Sequence, residues 1–257
     1  MSTIPSLLKL KDYVTLTGTT IGLVALMFGS FGTRYAISLG FFLISVTFGT
    51  DLIDGYIARK TGTVNDIGRE LDSLSDSLTF GIVPAVLCFQ AFKTGTVYDY
   101  LLVIGCICFA LGAILRLARF NISTSAGYTG VPTPITSLLI LIYFYANYFY
   151  AFAFGGLTYP FLEFAYFITP FLLIFLGWLN ITTYIKFGEK GKIVYYLFIV
   201  LAPCSPVFGI IGILNPNFIV SMTISLIFLG FFLISLSWVL INSIITQISL
   251  KKEKGTS

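Results

Sequence analysis

The chain has 257 residues, of which 57% are hydrophobic and only 10% are charged. A soluble domain carries about 25% charged residues, so this composition excludes a soluble globular protein and indicates one integral membrane domain over residues 1–257. The formal net charge is +4, but the cations mark the ends of apolar runs, so no nucleic-acid partner is implied.

Eight apolar stretches are each long enough to cross a bilayer, which takes about 20 helical residues. They predict an all-α, polytopic transmembrane helix bundle, preceded by a juxtamembrane segment at residues 1–12. The predicted spans cover about residues 13–31, 35–58, 70–92, 97–119, 133–154, 160–185, 193–213 and 217–247.

The positive charges test this topology, because Lys and Arg are enriched in short cytoplasmic loops. With the N-terminus inside, thirteen of the fifteen cations fall on the cytoplasmic side, and only Arg34 and Lys93 fall outside. An odd number of spans would scramble this asymmetry. The pattern therefore predicts eight spans with both termini in the cytoplasm.

Four acids lie at or inside the cytoplasmic ends of the second and third spans: Asp51, Asp54, Asp72 and Asp76. An ionisable group in a span costs about 2.5–3.5 kcal/mol on insertion scales, so such groups face a cavity, pair with each other or bind ions. Spacings of three and four residues place each pair on one helix face. The turn at 59–69 folds the second pair against the first.

Together these carboxylates predict an all-oxygen site for a hard divalent ion, Mg²⁺ or Mn²⁺, with Ca²⁺ as an alternative. Two ions are expected, because four carboxylates overcharge a single divalent site. Small residues one turn away, Gly55, Ala58 and Gly68, leave room for a phosphorylated group. The alternative assigns the acids to solvated helix ends paired with nearby cations. Asp66 and Glu70 are expected at the solvated surface.

The segment 51–76 resembles the signature of the CDP-alcohol phosphotransferases. Its eight fixed positions are filled by Asp51, Asp54, Gly55, Ala58, Arg59, Gly68, Asp72 and Asp76. The resemblance implies a core of six spanning helices whose first three supply the site, with two extra C-terminal spans within 186–257. It also implies that the four aspartates bind metal and that Asp76 is the catalytic base. CDP binding falls to Asp51, Gly55, Ala58, Arg59, Gly68 and Asp72.

Two arginines three residues apart, Arg116 and Arg119, end the fourth span. Arginine suits bidentate capture of carboxylate or phosphate, although a positive-inside anchor also explains the pair. The segments 70–85, 116–121 and 130–134 are similar to the phosphatidylserine synthase branch of the family, which transfers to L-serine. The arginines are then expected to bind either the serine carboxylate or the lipid-side phosphate.

The predicted reaction is attack of the L-serine hydroxyl on the lipid-linked phosphate of CDP-diacylglycerol or CDP-archaeol. CMP leaves, and phosphatidylserine or archaetidylserine is formed, as in phospholipid biosynthesis. Glycerol phosphate or inositol phosphate is the alternative acceptor. A membrane ion or metal transporter is the alternative of another class, but a carrier is expected to place its acids near the midplane, often in paired halves. The resemblance also implies a homodimer within the membrane lipids.

Overall fold

Seven helices are long and apolar enough to cross a membrane in the part of the chain that the computed structural model describes. That part comprises residues 7–62, 66–122, 128–187 and 217–254, together with positions 207 and 210. The predicted polytopic helical bundle is confirmed. The predicted span at 193–213 lies outside the described residues, apart from those two positions.

The helices are α1 (Leu10–Ser30), α2 (Arg34–Thr61), α3 (Asp66–Asp76), α4 (Val83–Phe92), α5 (Asp99–Ile122), α6 (Thr133–Gly155), α7 (Glu163–Ile181) and α8 (Phe218–Lys254). The π-helical segment Ser77–Ile82 joins α3 to α4, and the three form one span. A two-residue strand β1 (Tyr128–Thr129) pairs antiparallel with β2 (Lys186–Phe187). Predicted and observed ends agree to within about four residues, except that α8 continues past residue 247.

Helix α1 begins inside the segment that the sequence assigned to the membrane surface. Asp12, in the first turn, accepts a 2.7 Å hydrogen bond from the backbone N–H of Lys9 and satisfies a donor at the helix start. Lys11 and Asp12 are both buried. Helix α1 thus starts within the predicted juxtamembrane segment and already contains these two residues.

Capping at both ends fixes α2, the helix that carries the first half of the motif. The Thr33 hydroxyl accepts a 3.3 Å hydrogen bond from the N–H of Ala36 at its start. At its end Gly62 has a φ of +62°, and its N–H donates to the carbonyl of Ala58. Glycine adopts this left-handed conformation without a Cβ clash, so α2 stops sharply after Thr61.

The π-helical segment follows directly after Asp76. Its hydrogen bonding is visible at Val83, whose N–H donates to the carbonyl of Leu78, five residues earlier. Pro84 has no N–H and its ring crowds the carbonyl four residues before it, which an extra residue in the turn relieves. The widened turn redirects the span just beyond the last motif aspartate. π-Helical turns in membrane and soluble helices are frequent at functional sites.

Helix α6 is the most buried span, and aromatic side chains join it to its neighbours. Phe144 stacks on Phe41 of α2 with ring centroids 4.2 Å apart, and Phe228 of α8 stacks on Tyr145 at 5.5 Å. In a bilayer such packing, rather than the hydrophobic effect, holds spans together. The C-terminal helix α8 is therefore an integral part of the described bundle.

Glycines let α5 and α7 pack with their backbones in contact. A Cβ added to Gly112 would lie 2.4 Å from the carbonyl oxygen of Gly177, and one added to Gly105 would lie 2.7 Å from that of Pro170. Small residues at such positions are typical of tight helix pairs in membranes. This contact fixes the position of the α5 end, which carries the two predicted arginines.

Candidate active site

The predicted aspartates meet between the C-terminal halves of α2 and α3. Asp51, Asp72 and Asp76 place carboxylate oxygens within 4.8 Å of one another. Each of the three is half-buried, and they are the acids among the described residues that lie close enough together to share a metal ion. Helical spacing explains part of this grouping, because Asp72 and Asp76 lie one turn apart and so share one face of α3.

The fourth aspartate lies in the same cavity but is held differently. Asp54 is only 7% exposed, and its Oδ2 accepts a 2.7 Å hydrogen bond from the hydroxyl of Thr15 on α1. The predicted group of four is therefore a close set of three acids, with a fourth whose carboxylate is fixed by a different helix. Sequence reasoning did not include Thr15.

Hydroxyl groups line the rest of the cavity, which encloses about 210 Å³ including the part open to solvent. Besides the four aspartates, its walls are formed by Thr15, Gly18, Thr47, Thr50, Ser75, Thr79 and Phe80. Every potential ligand atom among these side chains is an oxygen. Such a donor set fits a hard divalent cation and not a soft one.

Helix α1 contacts the site directly because small residues face its neighbours. A Cβ on Gly18 would lie 2.4 Å from the hydroxyl of Thr50 on α2, and the Thr19 hydroxyl donates a 2.7 Å hydrogen bond to Ser75 on α3. The signal that sequence reasoning missed is the stripe of Thr15, Gly18, Thr19 and Gly22 at helical spacing. This stripe shows which face of α1 meets the motif helices.

Lys11 and Asp12 form a buried ion pair in the first turn of α1, about one turn before the cavity-lining Thr15. The Lys11 ammonium lies 2.7 Å from Asp12 Oδ1, and the two side chains are 9% and 0% exposed. Lys11 interacts electrostatically with both Asp54 and Asp72. Lys11 therefore acts on two acids of the site, whereas the charge pattern predicted only a role in topology for it.

The other predicted CDP-binding positions lie at the end of α2 and the start of α3. Arg59 is exposed, and its Nη1 would lie 3.4 Å from a Cβ added to Gly55, so the guanidinium folds back over that glycine. Gly68 is buried, and Ala58 contributes the carbonyl that Gly62 caps. Their role in nucleotide binding stays a prediction.

The two predicted arginines differ in their contacts. Arg116 is 7% exposed and interacts electrostatically with Asp76. Arg119 instead donates from Nη1 to the Ile181 carbonyl at 2.7 Å and from Nη2 to the Thr129 carbonyl at 2.8 Å. Arg116 is therefore the arginine associated with the acidic site, and Arg119 holds the β1 segment against the end of α7.

Glu70 is exposed, as expected, but it is also linked to α5. Its Oε2 accepts a 3.1 Å hydrogen bond from Asn121 Nδ2, and Asn121 Oδ1 accepts one of 3.0 Å from the Ser73 hydroxyl. Asn121 thus joins two residues of α3 to the end of α5. This link fixes the helix that carries Asp72 and Asp76 relative to the helix that carries Arg116. The side chain of Asp66 is 98% exposed, as expected.

Several known proteins are similar to this chain in sequence. Residues 10–187 match the family model described as CDP-alcohol phosphatidyltransferase. The chain is 40% identical over 141 residues to a CDP-diacylglycerol–serine O-phosphatidyltransferase of Methanocaldococcus jannaschii, an alignment that covers 55% of this chain and 63% of that protein. It is 31% identical over 150 residues to an archaetidylserine synthase of Methanothermobacter thermautotrophicus, covering 57% of this chain and 62% of that protein.

A CDP-diacylglycerol–serine O-phosphatidyltransferase of Bacillus subtilis is 37% identical over 97 residues, 36% of this chain and 52% of that protein. The chain thus aligns with less than two thirds of the length of these relatives. The family match, in contrast, covers more than half of the chain and contains α1 to α7, which form six spans, and the first three of these line the acidic cavity. The chain therefore belongs to the CDP-alcohol phosphatidyltransferase family.

Proposed function

We propose that this protein is a serine O-phosphatidyltransferase that uses CDP-diacylglycerol or CDP-archaeol as lipid donor. The observation that supports it most is the convergence of Asp51, Asp72 and Asp76 in a cavity at the ends of two spans. The printed names of the relatives favour serine as the acceptor. A transporter has no comparable support, because the family is one of transferases.

In the proposed reaction the serine hydroxyl oxygen forms a bond to the lipid-linked phosphorus. The bond between that phosphorus and the oxygen bridging to CMP breaks, and CMP leaves with the electron pair. Asp76 accepts the hydroxyl proton, because its carboxylate belongs to the cluster of three acids and interacts electrostatically with Arg116. A positioned base contributes about 10² to 10⁴ in rate.

The acids fit a divalent cation, and we propose Mg²⁺ or Mn²⁺, two ions in number, held by Asp51, Asp54, Asp72 and Asp76. When bound, such ions neutralise the charge of the diphosphate and of the departing CMP. The protein fixes the ligands before substrate arrives. Thr15 holds Asp54, and α1, which packs against both α2 and α3, holds the two helices that carry the other three acids.

Arg116 is proposed to bind the serine carboxylate. It lies on the Asp76 side of the cavity, so an acceptor held there presents its hydroxyl to the base. The lipid-side phosphate is the other anion that this guanidinium can bind. For Arg119 we propose an indirect effect on substrate binding, through its hydrogen bonds to Thr129 and Ile181.

We further propose that both termini and the active site face the cytoplasm, and the excess of Lys and Arg on that side of the predicted topology supports this. CDP is contacted by Asp51, Gly55, Ala58, Arg59, Gly68 and Asp72 in this proposal. A homodimer in the membrane is proposed on family resemblance. Crosslinking in native membranes tests the homodimer, and cysteine accessibility at the two termini tests the sidedness.

The central experiment is an acceptor and donor assay with the purified full chain in detergent. CDP-diacylglycerol and CDP-archaeol are each incubated with labelled L-serine, glycerol phosphate or inositol phosphate, and CMP and lipid product are measured. We expect product with serine, in the presence of Mg²⁺ or Mn²⁺, and loss of CMP release with EDTA. Product with a phosphorylated acceptor alone would reject serine, and absence of CMP release with every pair would reject the transferase.

A further inference from the structure

We propose that Lys11 is a binding residue for the diphosphate of the CDP-lipid and that Asp12 positions its ammonium group. This inference rests on the proposed function, because it assumes a nucleotide diphosphate as the ligand of the acidic cavity. It concerns a part of the chain outside the motif, at the start of α1.

The burial of the pair is the first observation. The Lys11 and Asp12 side chains are 9% and 0% exposed and lie 2.7 Å apart. A lysine that only sets membrane topology gains by remaining in water, and burying an ion pair costs desolvation that its attraction barely offsets. Lys9, two residues earlier, is exposed, as expected of a lysine in this segment that has no binding role.

The place of Lys11 beside the site is the second observation. The Thr15 hydroxyl lies 3.2 Å from the Lys11 carbonyl oxygen and 2.7 Å from Asp54 Oδ2, so Lys11 is one helical turn from a residue that contacts the acids. Lys11 also interacts electrostatically with Asp54 on α2 and Asp72 on α3. An ammonium has three donors, and Asp12 uses one of them. The α1 wall of the cavity begins at Thr15, one turn after Lys11, so we infer that the remaining donors serve an anion bound there.

Charge balance gives the third step. Two divalent cations would carry four positive charges, which the four carboxylates neutralise. A diphosphate that enters the site adds further negative charge, and the metal site alone does not balance it. Arg116 supplies a positive group on the Asp76 side, and Lys11, although its charge is paired with that of Asp12, presents an ammonium group on the Asp54 side. Lys11 is thus placed to bind the donor substrate, opposite the arginine proposed to bind the acceptor.

Asp12 has two tasks that can be separated by mutation. Its Oδ2 caps α1 at the Lys9 N–H, and its Oδ1 holds the Lys11 ammonium. Asparagine keeps an oxygen for the cap but removes the charge that fixes the ammonium. Asp12→Asn therefore tests the positioning of Lys11 without removing the helix cap.

The test compares Lys11→Gln with the matched control Lys9→Gln, which loses the same charge at an exposed position. Binding of Mn²⁺ alone and of CDP with Mn²⁺ is measured by calorimetry on the full chain in detergent. We expect Lys11→Gln to bind CDP about tenfold more weakly, as for loss of one hydrogen bond to a charged group, and to bind Mn²⁺ at least as tightly as the wild type. The KM for CDP-lipid should rise similarly with little change in kcat. Lys9→Gln should match the wild type in Mn²⁺ affinity, CDP affinity and KM.

The opposite pattern overturns the proposal. If Lys11 only offsets repulsion among the carboxylates, Lys11→Gln will bind Mn²⁺ more tightly and CDP as well as the wild type does. Lys11→Arg keeps the charge and should retain CDP affinity within about threefold. A loss equal to that of Lys11→Gln would point to packing instead of charge, and would also overturn it.

Asp12→Asn gives an independent measurement. The ammonium released from Asp12 should move toward Asp54 and Asp72, so Mn²⁺ binding should weaken about tenfold, and adding Lys11→Gln should restore it. Equal Mn²⁺ affinity in Asp12→Asn and the wild type would reject the positioning role. If the wild type with Mn²⁺ binds no CDP, the CDP-lipid function fails together with this inference. If the wild type binds CDP and Lys11→Gln does so equally, only the inference fails.

Discussion

The Thr15 hydroxyl donates a 2.7 Å hydrogen bond to Asp54 Oδ2 and so joins α1 to an aspartate 39 residues later on α2. Both residues are buried, with exposures of 4% and 7%. A buried carboxylate that loses such a donor keeps its desolvation cost without the compensating bond. Thr15 therefore supports a proposed metal ligand from outside the motif.

Replacement of Thr15 by Val should weaken Mn²⁺ binding and slow CMP release, each by about 10- to 100-fold, as for other residues that orient metal ligands. Valine has nearly the same shape but cannot donate to Asp54. Mn²⁺ titration and CMP release measure the two effects. Thr15→Ser keeps the hydroxyl and should remain within about threefold of the wild type. Wild-type Mn²⁺ affinity in Thr15→Val would contradict the assignment.

Replacement of Asp76 by Asn should reduce CMP release by about 10² to 10⁴, the range expected for loss of a positioned base. CDP binding should change little, because Asp51, Asp54 and Asp72 remain. Rapid-quench measurement of CMP and calorimetry with CDP separate the two steps. Asp66→Asn, at a fully exposed acid, serves as the control. Substantial turnover in Asp76→Asn would remove this residue from the role of base.

The helix spacing of the motif aspartates let the sequence predict most of the acidic site. Asp72 and Asp76 are four residues apart, so the regular helix alone places them on one face. The short α2–α3 connection then limits where the second pair can lie relative to Asp51. The apolar spans were predictable for a similar reason, since a bilayer requires about 20 apolar residues in each.

The part played by α1 could not be predicted, because it depends on which face of one helix meets another. Gly18 contacts Thr50 only after α1 and α2 have packed together, and the interaction of Lys11 with Asp54 and Asp72 also depends on that packing. The two arginines show a similar limit. Their spacing gives them a common face, but the different environments of Arg116 and Arg119 arise from the β1 segment folding onto the end of α7.

The different contacts of the two arginines predict different effects of Arg→Lys changes. Arg116→Lys should raise the KM for serine about tenfold, since an ammonium cannot bind a carboxylate in the bidentate manner of a guanidinium. Arg119→Lys should lower the unfolding temperature and leave the serine KM within about threefold, because its hydrogen bonds go to backbone carbonyls. Steady-state kinetics and thermal unfolding in detergent provide the comparison. A serine KM that responds only to Arg119→Lys would reverse the two assignments.

The Asn121 bridge should matter for rate more than for binding. Asn121→Ala removes the hydrogen bonds to Ser73 and Glu70, so α3 and α5 lose a link near Asp76 and Arg116. A displacement of about 1 Å can cost 100-fold in rate, and we expect a fall in kcat of about tenfold. Glu70→Gln keeps an oxygen to accept from Asn121 and should be close to the wild type. Single-turnover CMP release measures the effect, and an unchanged rate in Asn121→Ala would show that the bridge is dispensable.

The contact between α5 and α7 predicts a loss of stability from a single methyl group. In Gly112→Ala the new Cβ would lie 2.4 Å from the Gly177 carbonyl oxygen, a backbone atom that cannot move without moving the helix. Overpacking of this kind costs about 1–3 kcal/mol, so the unfolding temperature in detergent should fall.

Gly230→Ala on α8 is the matched control, because its Cβ would have no described neighbour within 4 Å. That change should leave stability equal or raise it by about 0.5–1 kcal/mol, since alanine loses less backbone entropy than glycine on entering a helix. Equal unfolding temperatures for Gly112→Ala and the wild type would mean that α5 and α7 do not approach at Gly112. The position of Arg119, which hydrogen-bonds both Thr129 of β1 and Ile181 at the end of α7, could then not be explained by this helix contact.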